Sequence, residues 1–241
     1  MDREALQYLY EGLDLWREQG DTYEEAETLD GIGYCHVAIE EFEQARRSLE
    51  QSLALRRHSG TPELQGRSHA GLCQVLMAAG DIDRLEPMAQ ELLELSAPLE
   101  ATSHQAARTA QSGLHYLADC SLVRGDYAEA SRRYARALAH ARDSQLDAFA
   151  TSELVGFAMA TAGEGNHDSA LRLAVSAYKH FEDLGIWPTA PFWDRLQERF
   201  IGGARDALGP EGAEEAERAG RAMPFETVLD EVVATGAVDA S

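Results

Sequence analysis

Small and apolar residues recur along the chain at i, i+4 and i+7, give way to a short polar turn, and then return. The triplets are Ala5/Leu9/Gly12, Ala45/Leu49/Ser52, Leu85/Ala89/Leu92, Ala130/Tyr134/Ala137 and Ala170/Ala174/Ala177, with copies 40, 40, 45 and 40 residues apart. Spacings of four and three put each triplet on one helical face, where small residues let two helices approach and larger ones fill the groove. Four of the triplets follow a second helical pattern: Leu29/Ile32/Gly33, His69/Leu72/Cys73, Leu114/Leu117/Ala118 and Leu154/Phe157/Ala158. The turns between read Glu40-Glu41-Phe42, Gly80-Asp81-Ile82, Gly125-Asp126-Tyr127 and Gly165-Asn166-His167. A fixed period of this length belongs to stacked helix pairs, none of which can bury its apolar face without a neighbour. The pattern predicts an all-α solenoid of antiparallel pairs near 22–59, 62–96, 103–144 and 146–184.

The two ends differ. Residues 1–20 align with a second helix alone, and Gly20-Asp21 matches the Gly60-Thr61 stop, so the array opens on half a repeat. Three readings of that edge stand: a cap, a cut from a longer protein, or a partner-binding edge. Leu6, Leu9, Leu13 and Trp16 would be uncovered there and form the candidate edge of a homodimer through the N-terminal helix. Gly185 should stop the last repeat helix, with breaks at Trp187-Pro188 and Ala190-Pro191. A helix over 192–208 should end at Gly209-Pro210, and two shorter helices split near Met223-Pro224 should follow, fraying from Thr235. The expected organisation is a repeat array over 1–187 (half repeat 1–20; full repeats 22–60, 62–100, 103–145 and 146–185) and a capping segment over 188–241. Pro87 should make the second helix of its unit begin late or bend.

Leu29-x2-Ile32-Gly33-x2-His36, followed by Ala45-x3-Leu49-x2-Ser52, resembles the tetratricopeptide repeat, as does the Gly125-Asp-Tyr-x2-Ala130 turn. The period exceeds the family's usual 34 residues, and the tryptophan position is never Trp. Longer repeats of this kind, closed by a tail such as Phe181-Glu-Asp-Leu-Gly185, Arg195-Leu-Gln-Glu-Arg199 and Gly220-Arg-Ala-Met-Pro-Phe-Glu, resemble the C-terminal modules of large bacterial LuxR-type and SARP-type signalling ATPase regulators. The resemblance implies a superhelix whose first helices line a concave groove. Its inward residues would be Glu27, Asp30, Tyr34, Val37, Arg67, Gln74, Met77, His115, Asp119, Leu122, Ser152 and Met159. Such a set suits an extended peptide, a small effector or a protein partner. The implied role is a sensor or interaction module in transcriptional regulation or signalling. A stand-alone scaffold holding an enzyme or carrier protein is the alternative, and an enzyme built on Asp30, Tyr34, His115 and Asp119 is a distant third. The lysine and asparagine clamp with which some members grip acidic chaperone tails has no counterpart, since the matching columns hold Glu27, Asp30 and Tyr34. Cationic or neutral partners are favoured.

Composition narrows the choice of partner. A formal charge of −21 and a pI near 4.6 repel phosphates and argue against direct nucleic-acid binding. Lys179 is the only lysine in the chain. No apolar run reaches the roughly 20 residues that span a bilayer, and Met1-Asp-Arg-Glu is not a secretory start, so a cytoplasmic protein with no membrane association is expected. Cys35, Cys73 and Cys120 fall in apolar or small-residue columns and read as buried hydrophobes. Phosphate-loop, nucleophile-elbow and metalloprotease motifs are absent from the sequence, and neither cofactor nor metal is expected. Gly163-Glu-Gly-Asn-His167 reads as a turn, and His69 as a packed residue.

Overall fold

The computed structural model describes residues 2–59, 62–186 and 190–238. Among them every regular element is helical: α1 (Asp2–Gln19), α2 (Thr22–Ala38), α3 (Phe42–Ser59), α4 (Pro62–Ala78), α5 (Ile82–Ser96), α6 (His104–Arg124), α7 (Tyr127–Asp143), α8 (Asp147–Gly163), α9 (His167–Leu184), α10 (Pro191–Gln197), α11 (Gly203–Ala222) and α12 (Phe225–Val238). A π-helical turn, Glu198–Gly202, joins α10 to α11. The all-α class read from the apolar period is the class of this fold. The starts of α2, α4, α6 and α8 lie within a residue of the expected ones. Pro87 does not delay α5, which begins at Ile82 and runs through it. The Gly60-Thr61 stop and the Trp187-Pro188 break lie outside the described residues.

Turn chemistry sets this register. Asp21, Asp81 and Asp126 each accept a hydrogen bond from the backbone N–H three residues on, at 3.1, 3.3 and 3.2 Å, which satisfies one orphan donor of the following helix. Gly20, Gly80, Gly125 and Gly165 take positive φ at the preceding position, and Glu40 adopts the same conformation at φ 59°.

The chain divides into two compact units, Met1–Tyr116 and Leu117–Ser241, and the division falls inside α6. It does not fall at 187/188, because the C-terminal helices α11 and α12 pack on α9 and α7 within the second unit.

In the first unit α2 lies against α1, α3 and α4, and α4 against α5. Leu49 of α3 fills the space left by two glycines: a Cβ added at Gly33 or Gly71 would stand 2.6 or 2.7 Å from its side chain. Leu6 and Leu13 of α1 are buried against Leu29 and Ile32 of α2, with Leu9 and Leu55 packed alongside. This corrects the expectation of an uncovered edge at Leu6, Leu9, Leu13 and Trp16. The core-facing half of that stripe is consumed by α2, while Leu9 and Trp16 are half-buried.

In the second unit α8 is buried along most of its length between α7, α9 and the π-turn. Gly156 faces the Tyr134 ring so closely that a Cβ would overlap it, and Gly163 abuts the ring of Tyr127. Within the glycine-rich stretch Gly163 is packed, whereas Gly165, at φ 88°, forms an exposed turn. Helicity breaks at Gly209 (φ 70°, ψ 173°), and α12 continues past Thr235 to Val238 rather than ending there. Cys73 and Cys120 are buried and Cys35 half-buried.

Candidate functional site

The first unit concentrates its charge chemistry on the side shared by α2 and α4. On α2 the positions 23, 27, 30 and 34 follow helical spacing onto one face, bringing Tyr23, Glu27, Asp30 and Tyr34 into line. Two neighbouring helices complete the set. The inward stripe of α3, Ala45-Leu49-Ser52-Leu53, ends on Arg56, whose side chain is only 3% exposed. From α4 come Arg67 and Ser68.

Arg56 is the hub. One Nη donates to Glu27 Oε1 and to Asp30 Oδ2, both at 2.7 Å, the other to the Leu64 carbonyl at 3.1 Å, and Nε to Ser52 Oγ at 3.2 Å. Ser68 Oγ donates to Asp30 Oδ1 at 3.0 Å and lies 2.9 Å from Ser52 Oγ. Arg67 Nη donates to Glu27 Oε2 at 2.5 Å, and the Tyr34 hydroxyl to the Arg67 carbonyl at 3.4 Å. Two guanidiniums thus neutralise two carboxylates, and nearly every donor that reaches the interior is satisfied, as burial of charge requires.

Protonation follows from this geometry. Burial raises the carboxyl of Asp30 above the usual range in spite of Arg56 beside it. Burial also works against Glu27, but its bonds to Arg56 and Arg67 outweigh that and hold it below 4.5. Burial of the hydroxyl end pushes Tyr34 up to about 12. The outer rim is accessible: Arg67 and Glu27 are partly exposed, and the flanking rings of Tyr23 and Tyr34 are 52% and 37% exposed. Donors and acceptors here are fixed in place, which suits recognition.

Other expected groove residues sit elsewhere. Met77, Val37, Asp119, Leu122 and Met159 are buried. For Met77 the cause is α4 packing among α2, α3 and α5, and for Met159 the enclosure of α8. Asp119 accepts the hydroxyl proton of fully buried Tyr134 at 2.5 Å, and that phenol is raised well above 10 by burial and by Asp119. Gln74 and His115 in the first unit and Ser152 in the second are half-buried. His115 lies edge-on to Tyr116, and Ser152 Oγ bonds the Ala148 carbonyl.

Sequence reasoning missed Tyr23, Arg56 and Ser68. The signal for Arg56 was present, since an arginine on an apolar stripe one turn after Ser52 needs a buried carboxylate opposite it. It also missed a clasp between α1 and α2: Tyr10 Oη lies 2.9 Å from His36 Nε2, and His36 Nδ1 2.9 Å from Glu41 Oε2. A carboxylate only accepts, so with the ring neutral Nδ1 carries the proton and Nε2 accepts from Tyr10. His69 is packed, with Nδ1 3.2 Å from the Gln65 carbonyl. Among the described residues no cluster of three histidine, cysteine or carboxylate groups is placed to hold a metal ion, and no helix is long and apolar enough to cross a membrane.

Comparison with known proteins agrees with this architecture. Residues 2–58, covering α1 to α3, match the model of the tetratricopeptide repeat family. Two solved structures share the fold. The Rap protein complexed with Competence and Sporulation Factor superimposes with a TM-score of 0.59 at 14% identity, over 96% of this chain and 72% of Rap. BtubC (BKLC) from P. vanneervenii superimposes with a TM-score of 0.61 at 13% identity, over 100% of this chain and 93% of BtubC. The sequence matches no curated protein.

Proposed function

We propose that the α2–α4 face of the first unit is a recognition surface for an extended peptide, and that the chain serves as the binding module of a bacterial regulatory or signalling protein. The observation that carries this reading is a charged pair, Glu27 and Arg67, anchored from beneath by buried Arg56 and Asp30 and flanked by exposed Tyr23 and Tyr34. Immobilising a flexible side chain on binding ordinarily costs about 0.5–1.5 kcal/mol, and here that loss precedes the ligand. Arg67 offers donors and Glu27 acceptors to a peptide main chain, while the tyrosine rings supply flat apolar area. The acidity of the chain favours a neutral or cationic peptide. Rap, of similar fold, is seen in complex with Competence and Sporulation Factor, which supports a bound factor as one use of this architecture. Gln74 and His115 are further candidate contacts in the same unit.

Selection from a displayed peptide library against the intact chain, followed by titration calorimetry, tests this reading. Tyr34→Ala and Arg67→Ala should each weaken the selected peptide by about tenfold, and Arg136→Ala in the second unit should not. Equal affinity in all three variants would rule the surface out.

A further inference from the structure

Repeat equivalence shows α1 to be less covered than α3. In α3 the triplet Ala45, Leu49 and Ser52 has 0% exposure, because α2 and α4 flank it. The matching residues of α1, Ala5, Leu9 and Gly12, are only half-buried. α1 meets α2 through Leu6 and Leu13, and another of its faces is exposed. On that side Tyr8 is 72% and Leu15 56% exposed, with Gly12 between them at helical spacing. Gly12 leaves room for close approach there, as Gly33 and Gly71 do for Leu49, since a Cβ added at Gly12 would meet only Trp16 at 4.0 Å.

Charge decides the occupant. Glu4, Glu11 and Glu18, all exposed, recur every seven residues along the edge beside Tyr8 and Leu15. If a second copy packed antiparallel across a two-fold axis, Glu11 would meet Glu11 and Glu4 would meet Glu18, a like-charge row on a chain already at −21. A helix with a basic edge meets the same row favourably.

We propose that the open face of α1 docks an amphipathic helix of a partner protein, apolar where it covers Tyr8, Gly12 and Leu15 and basic where it runs beside Glu4, Glu11 and Glu18. This surface uses residues separate from the α2–α4 face, so it stands or falls independently.

The test uses three fluorescent peptides of the length of α1: a helix with a leucine/alanine stripe and a lysine edge, the same helix with a glutamate edge, and a scramble of the lysine peptide. Anisotropy with the intact chain should show the lysine-edge helix binding at least about tenfold tighter than the other two. A Tyr8→Glu/Leu15→Glu variant should lose that binding while its circular-dichroism melt stays at the wild-type position, since both side chains are exposed. A Glu4→Lys/Glu11→Lys/Glu18→Lys variant should prefer the glutamate-edge peptide. Equal binding of the scramble would reduce the effect to bulk charge, and a lysine preference that survives the triple reversal would remove the edge from the account. A wild-type dimer in sedimentation that Leu15→Glu dissolves would make a second copy the occupant. Each of these three results overturns the proposal.

Discussion

Arg56 is the residue on which the recognition face depends. Its side chain is nearly sealed from solvent and holds both Glu27 and Asp30. Removing one partner of a buried charge cluster leaves the others uncompensated, so Arg56→Ala should cost about 3–5 kcal/mol in denaturant unfolding. Asp30→Asn should cost less, because the folded state already raises the Asp30 carboxyl and the amide still accepts from Ser68. Glu27 titrates in the opposite sense. Its carboxyl is lowered on folding, so its contribution is fully present above about pH 4.5 and is lost as pH falls through the depressed value. The stability gap between wild type and Glu27→Gln should therefore narrow on acidification below 4.5, and a gap that widens there would contradict the pairing. Asp119 shows where column reading failed. Its helical position resembled a groove residue, but the tyrosine one triplet away in sequence turns it into a buried acceptor. Asp119→Ala should destabilise by about 1–3 kcal/mol, since it strands the Tyr134 hydroxyl.

Helices and turns were the most legible part of the sequence, for a physical reason: the apolar period and the Gly-Asp turns are local, and here they agree with one another. Asp21, Asp81 and Asp126 cap their helices through the side chain, whereas Asn166 at the start of α9 does not. Asn166→Asp should restore that bond and add a favourable charge at the helix N-terminus, raising stability by about 0.5–1 kcal/mol in a thermal melt. The Tyr10–His36–Glu41 clasp was not legible, because it joins residues 26 and 5 positions apart on three different segments. Tyr10→Phe removes one of its hydrogen bonds and should speed amide exchange in α1 selectively, at a cost of about 1 kcal/mol. The enclosure of α8 was equally hidden. Helical spacing marks which residues share a face, but the π-turn that covers α8 arrives from about 40 residues downstream.

The chain carries a net formal charge of −21, and many of its basic residues, among them Arg17, Arg46, Arg132, Arg172 and Arg205, pair with surface carboxylates. The Arg56–Asp30 pair differs from these in being buried, and it lies beneath the partly exposed Glu27–Arg67 pair, beside the exposed Tyr23 and Tyr34 of α2. Composition favours neutral or cationic partners on electrostatic grounds, and the apolar period predicts the helical fold. The rim itself emerged only when α2, α3 and α4 were brought together. The most direct measurement of this account is an amide chemical-shift titration of the isotope-labelled chain with the peptide selected against it. The account predicts shifts concentrated in α2 around Tyr23 to Tyr34 and in α4 around Leu64 to Gln74, needing about tenfold more peptide after Arg67→Ala. Shifts centred on the second unit, or a titration unchanged by that substitution, would contradict it.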